Sequence, residues 1–198
     1  MDFRALVVIM MSAVLVNNYV LRQFLGVCPF LGVSKDLKSS VGMGLAVMFV
    51  MLLAASVTWP IQMFLLNAAG LHFMQTVVFI LVIATLVQLV EVVLKKHFPS
   101  LFASLGVYLP LMTTNCAVLA VTIANISRGY TYVEALVYAF GAGFGFFLAM
   151  VIFTGVRGCL EAADPPEAFK GVPITLISAA ILSLAFFGFE GVIENLFR

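Results

Sequence analysis

Apolar residues run along this chain in blocks longer than a soluble helix needs, and polar residues gather in short clusters between them. The pattern predicts six membrane spans, at about 5–33, 41–66, 72–94, 99–126, 132–157 and 172–193. A helix crossing a bilayer needs about 20 apolar residues, and every block reaches that length. The clusters between them read as loops: Lys35, Asp36 and Lys38; "NAAGL" around Gly70; "KKHFP" with Pro99; and "SRGYT". The longest is "RGCLEAADPPEAFKG", with its turn-forming prolines at 165 and 166. The blocks are continuous rather than alternating, so the expected class is an all-α integral membrane protein.

Two of the spans are too long. Residues 5–33 and 99–126 would each rise about 40 Å or more as straight helices, at about 1.5 Å per residue, against a hydrocarbon core of about 30 Å. Both carry breakers in mid-run. Gly26 and Pro29 flank Cys28, while Gly106 and Pro110 precede "TTNC", Thr113 to Cys116. The pattern predicts broken or re-entrant first and fourth helices, which survive at membrane depth only under a cover of protein or beside a cavity.

The two long spans also echo each other, with "CPFLGV" at Cys28 and "CAVLAV" at Cys116. Each opens a three-span half, and each half continues into a glycine-rich span, "VGMGLAV" and "FGAGFGF". An odd number of spans per half reverses the orientation of the second. The expected architecture is therefore one membrane domain, 1–198, built from inverted repeats of about 1–97 and 98–198. Folds of this kind put their sites near the midplane at the repeat interface, where Cys28 and Cys116 would meet.

Composition excludes a soluble domain: 64% of the residues are hydrophobic and 10% charged, against about 25% charged in a typical soluble protein. A net charge of +1 gives no reason to expect nucleic acid. The basic residues sort by side. Lys35, Lys38, Lys95, Lys96, Arg157 and Lys170 follow spans one, three and five, and Arg4, Arg128 and Arg198 lie opposite. The richer side is expected in the cytoplasm, which turns both termini outward. The opening "MDFRALVVIMMSAVLVNN" lacks a basic cluster and a small-x-small cleavage site, so it reads as the first span rather than a secretory signal. No P-loop and no dinucleotide fingerprint is present.

Candidate chemistry then narrows to a few residues. Three cysteines, Cys28, Cys116 and Cys159, give no disulfide framework. A cysteine in a membrane span can simply pack as a small hydrophobe, and Cys159, with no counterpart in the first half, fits that reading. Alternatively, Cys28 and Cys116 at symmetric breaks could hold iron or an iron–sulfur cluster. A 2Fe–2S cluster takes four thiolates, so a second chain would have to supply two. His72 and His97 sit at span ends and do not complete the set.

Thr113, Thr114 and Asn115 suit a helix break by satisfying freed backbone groups, and Asn17 and Asn18 either do the same or cross-link helices. Arg22 could offset the charge of a cluster, pair with Glu91 or Glu190, or snorkel. Glu91 lies four residues before Lys95. It is either half of an i,i+4 pair near the interface or part of a proton or sodium relay. Glu134 and Glu190 carry the same alternatives. Gly42, Gly44 and the run from Gly141 to Gly145 suit close helix packing.

The stretches "VLVNNYVLRQFLGVCPFLGVSK" and "LGVYLPLMTTNCAVLAV" resemble the signatures of the A-type subunits of Rnf electron-transport complexes. The paralogous E-type subunits, and the D-type and E-type subunits of sodium-translocating NADH:quinone reductase, are similar. The resemblance covers the whole chain. It implies a membrane subunit of an ion-translocating ferredoxin:NAD oxidoreductase in the bacterial inner membrane, with no independent catalytic activity. In that family the A-type and E-type subunits form an inverted pseudo-symmetric pair and hold a 2Fe–2S cluster between them, two cysteines from each.

Carried onto this chain, the ligands are Cys28 and Cys116, and Gly26, Pro29, Thr114 and Asn115 would shape the pocket by adjacency. The implied partners also include a cytoplasmic ferredoxin-like subunit, an NADH-binding subunit and flavin-bearing membrane subunits, with electron flow coupled to Na+ or H+. A stand-alone secondary transporter and a non-redox scaffold remain alternative functions.

Overall fold

The computed structural model describes residues 3–34, 36–67, 70, 72–97, 115–163 and 166–196. Every regular element among them is helical. Helix α1, Phe3–Met11, runs on as a π-turn over Ser12–Val16, loses helical form over 17–26, and resumes as α2, Val27–Val33. Helix α3, Leu37–Ile61, ends in a second π-turn, Gln62–Leu66. A 3-10 turn at His72–Met74 leads into α4, Gln75–His97. Then follow α5, Cys116–Ser127, α6, Tyr132–Ala162, a 3-10 turn at Glu167–Phe169, and α7, Val172–Leu196.

The centre of the fold is the crossing of α3 and α6, and glycine sets its closeness. A Cβ on Gly44 would stand 2.7 Å from the Phe147 ring, and one on Gly143 would stand 2.7 Å from the Met48 side chain. Each glycine lets a large side chain of the other helix rest on its backbone. The two helices are antiparallel, because Gly44 meets Phe147, Met48 meets Gly143, and Trp59 Nε1 donates to Tyr130 O at 2.9 Å. Met43, Val47, Met51, Phe146, Met150 and Phe153 fill the buried seam. Helix α1 runs parallel to α6, with Gly141 against Met10 and Ala13 and Gly145 against Val14.

Trp59, Tyr130 and Tyr132, clustered at one end, have the amphipathic character of an interfacial belt. Lys38 and Arg157 mark the other end. From Leu37 to Trp59, α3 rises about 33 Å, close to the thickness of a hydrocarbon core of about 30 Å. Mid-depth therefore lies near Met48 and Gly143. The outward faces of α4 and α7 keep Val77, Leu81, Val92, Leu184 and Phe187 exposed, as lipid-facing helices do.

Several boundaries move from their sequence-based positions. The fifth span continues to Ala162, because Gly158 alone does not stop the helix and the prolines come only at 165 and 166, so the loop expected from residue 157 begins only at Ala163. Lys95 and Lys96 belong to α4, and Lys38 to the first turn of α3, rather than to loops. Pro29 is not a breaker either. It is the third residue of α2, in a first turn where its missing N–H costs no helical bond. Of the fourth span, 99–126, the part holding Gly106, Pro110, Thr113 and Thr114 lies outside the described residues.

Candidate site at the helix breaks

The interruption of the first span is built from polar side chains. Asn17 folds back on the π-turn, its N–H donating to Ser12 O at 2.8 Å and its Nδ2 to Ser12 Oγ at 3.0 Å. Asn18 is buried and does both jobs its type suggested. Its Oδ1 accepts from the backbone N–H groups of Val20 at 3.1 Å and Leu21 at 3.3 Å, and its Nδ2 donates across to Gly145 O at 2.9 Å. Tyr19 OH meets Tyr138 OH at 2.7 Å, and Ser183 Oγ of α7 donates to Leu21 O. Phe24 and Gly26 adopt left-handed backbone, φ +52° and +78°. For Phe24 that conformation costs about 1–2 kcal/mol, and the surrounding bonds hold it in place.

The chain makes no net progress across the membrane through this stretch. Val14 and Asn18 both pack at Gly145, and Gly26 packs at Phe146, one residue further along α6. Helix α2 then continues in the direction of α1. Phe30 stacks on Phe153 at 4.2 Å, and Arg157 Nη1 donates to Leu31 O at 2.8 Å and Ser34 Oγ at 2.9 Å. The first span is thus a broken crossing helix rather than a re-entrant one. Arg157 satisfies carbonyl and hydroxyl groups at the end of α2 that would otherwise lack helical partners.

Helix α5 starts at the same depth and runs the other way. Its twelve residues rise about 18 Å, half a membrane, and near its far end Asn125 Nδ2 donates to Ala135 O at 3.4 Å. Asn115 caps its start, with Oδ1 accepting from Ala117 N at 2.9 Å.

The starts of α2 and α5 abut. A Cβ on Gly26 would stand 2.9 Å from Phe146 Cε2, 3.1 Å from Asn115 Oδ1 and 3.3 Å from Ala117 Cβ. Only a glycine allows this contact. It brings together two of the residues singled out by sequence, Gly26 and Asn115, and Pro29 follows in the first turn of α2. Cys28 stands two residues beyond Gly26 and Cys116 directly after Asn115. Both lie in the first turn of their helices, both are exposed, and neither is in a disulfide.

One polar atom here has no bond. Asn115 is 5% exposed, and its Nδ2 is buried without a hydrogen-bond partner among the described residues. The bond from Ala117 N–H fixes which amide atom is the oxygen. A buried donor left unpaired costs about 1–3 kcal/mol.

The remaining candidates fall elsewhere. Arg22 is exposed on the break, with Nη1 at 3.4 Å from Asn17 Oδ1. Cys159 lies thirteen residues past Phe146 on α6, about 20 Å along the axis, near the far end of α2. Glu91 is half-buried on α4. Val87 and Val50 line one groove between α4 and α3, and one turn further Glu91 comes level with the stretch between Gly44 and Met48. That is the depth of the break, not the membrane interface. Glu134 closes a capping box with Thr131 at the start of α6, and the side chain of Glu190 lies outside the described ones.

Sequence reasoning missed the residues that fasten the break. Tyr138, Gly145, Arg157 and Ser183 lie more than a hundred positions away from their partners, and no local pattern announces them. The Asn115 cap was within reach, since an Asn just before an apolar helical run is a helix-start signal.

The donor set fits half of a four-thiolate cluster site. Two exposed thiols stand at adjoining helix starts, and among the described residues no group of three or more His, Cys, Asp or Glu gathers to complete a set within the chain.

Comparison with known proteins gives a consistent picture. A family model described as "Rnf-Nqr subunit, membrane protein" matches residues 6–193. The chain is 53% identical over 190 residues to the A-type subunit of the ion-translocating oxidoreductase complex of Syntrophotalea carbinolica, covering 96% of this chain and 98% of that protein. It is 52% identical over 186 residues to the A-type subunit of the Na(+)-translocating ferredoxin:NAD(+) oxidoreductase complex of Acetobacterium woodii, covering 94% and 97%. To the A-type subunit of the ion-translocating oxidoreductase complex of Aliivibrio fischeri it is 46% identical over 186 residues, covering 94% and 96%.

Proposed function

Since the chain belongs to the Rnf-Nqr family of membrane subunits, we propose that it is the A-type subunit of an ion-translocating ferredoxin:NAD oxidoreductase and that Cys28 and Cys116 supply half the ligands of a 2Fe–2S cluster. The observation that carries this reading is the contact between Gly26 and Asn115. It sets the first turns of two oppositely directed half-helices, each with an exposed cysteine, against each other at mid-membrane depth. The antiparallel α3 and α6, and the opposed α2 and α5, support a chain of two inverted halves.

When bound, the cluster supplies one-electron transfer inside the bilayer. The chain's own part is to hold two thiols at a fixed separation from the fastened break. The other two thiolates come from a homologous E-type subunit. Arg22, Gln23, Cys28 and Cys116 are exposed at or near the break, and lipid cannot solvate a charged side chain and open backbone at that depth. A protein surface must cover them. The cytoplasmic ferredoxin-like and NADH-binding subunits and the flavin-bearing membrane subunits complete the electron route, in the inner membrane with both termini outside. For the coupled Na+ or H+, Glu91 is an acid that the described residues offer at mid-depth.

Cys28→Ala in the purified complex tests the reading. The expected result is loss of the cluster's paramagnetic resonance signal together with ferredoxin:NAD turnover. Unchanged turnover with an intact signal removes Cys28 from the pathway. Iron-free chain that moves ions by itself in liposomes would instead identify a transporter. Glu91→Gln is expected to reduce ion uptake into proteoliposomes while electron transfer with an uncoupler persists, and full coupled uptake would exclude Glu91 as a relay.

A further inference from the structure

We propose that Asn115 donates a hydrogen bond through Nδ2 to a sulfur atom of the group held by Cys28 and Cys116, and so raises its reduction potential. This rests on the cluster reading above. Capping α5 needs only the oxygen of Asn115, and Ser or Asp would serve about as well. Asn adds two N–H donors at a place where the described residues offer no acceptor, since Nδ2 is buried with no hydrogen-bond partner among them. The bond from Ala117 N–H at 2.9 Å holds the amide in one orientation. The same amide stands against the Gly26 backbone, where a Cβ would lie 3.1 Å from Oδ1. The amide that carries the donor is therefore held beside the two helix starts that carry the thiols.

Sulfur is the acceptor a bound cluster would bring. Hydrogen bonds to cluster sulfurs stabilise the more negative, reduced state and raise the potential. Asn115 is in this sense a positioning residue that tunes the site without ligating it.

The test uses the intact complex with its partner subunits. Asn115→Ser and Asn115→Asp both keep a capping oxygen and remove the amide N–H, and the serine variant adds no charge. Iron content, resonance amplitude and midpoint potential are measured for each. Wild-type complex carrying asparagine labelled with 15N at the side-chain amide is examined by pulsed resonance for nitrogen coupled to the cluster. The expected result is full iron, a lower midpoint potential in both variants, and a 15N coupling in the wild type that disappears in the variants.

A midpoint unchanged in Asn115→Ser, or a shift in Asn115→Asp alone, overturns the inference. If the variants lose iron, the wild-type 15N coupling decides, and its absence overturns the inference. A complex without iron, or with iron indifferent to Cys28→Ala, overturns the cluster reading itself. A Cys28-dependent cluster with an unshifted potential overturns only the role of Asn115.

Discussion

Replacing Gly26 by alanine should damage the protein out of proportion to one methyl group. Two costs add. The backbone at Gly26 has φ +78°, which an L-residue adopts at about 1–2 kcal/mol. The new Cβ would also enter a closed space, 2.9 Å from Phe146 Cε2, 3.1 Å from Asn115 Oδ1 and 3.3 Å from Ala117 Cβ. Phe146 is 1% exposed and Ala117 is fully buried, so neither has room to retreat. Overpacking of this kind costs about 1–3 kcal/mol. The sum is about 2–5 kcal/mol. At about 2–4 °C per kcal/mol for a chain of this size, the melting temperature should fall by about 4–20 °C.

Gly32 supplies the control. It lies on α2, which Gly26 precedes, and a Cβ there meets nothing within 4 Å. Gly32→Ala should be neutral or gain up to about 1 kcal/mol of helix propensity. The assay is heat-step aggregation of the purified complex, followed through a fluorescent tag on this chain. If Gly26→Ala melts with Gly32→Ala, the tight apposition of the two helix starts is wrong.

Other consequences concern how the break is fastened. Arg157→Met removes bonds to Leu31 O and Ser34 Oγ, worth about 1.5–3 kcal/mol for a charged donor. Amide exchange across 27–34 should accelerate while that of α3 does not; uniform protection would show that α2 does not depend on this contact. Tyr19→Phe and Tyr138→Phe should each destabilise, because each leaves one buried hydroxyl without its 2.7 Å partner, at about 1–3 kcal/mol. The double substitution should cost less than the sum of the singles, and strict additivity in the thermal-stability cycle would rule out the bond.

The parts of the fold set by local pattern were legible from sequence, and those set by distant contacts were not. The interruption before Cys28 showed itself through a run too long for the bilayer, and Gly26 is indeed where the backbone turns left-handed. Pro29 misled, because a proline in a first helical turn starts a helix as readily as it ends one. Asn17 and Asn18 were legible as agents of a break. That Asn18 would also reach Gly145 O depended on α1 and α6 lying side by side, and residues 18 and 145 carry no pattern in common. Arg157 read as a marker of membrane side, yet its guanidinium closes the end of α2. Glu91 read either as half of a pair with Lys95 near the interface or as part of a relay, and the α3–α4 register sets it at the depth of the break.

The central claim is that Cys28 and Cys116 form one half-site while Cys159, about 20 Å away along α6, takes no part. Iron content and the resonance amplitude of the cluster should be measured in the purified complex carrying Cys28→Ala, Cys116→Ala or Cys159→Ala. The account predicts that the first two lose the signal and its iron while the third keeps both at wild-type level. A signal that survives Cys28→Ala and Cys116→Ala, or that disappears only with Cys159→Ala, would contradict it.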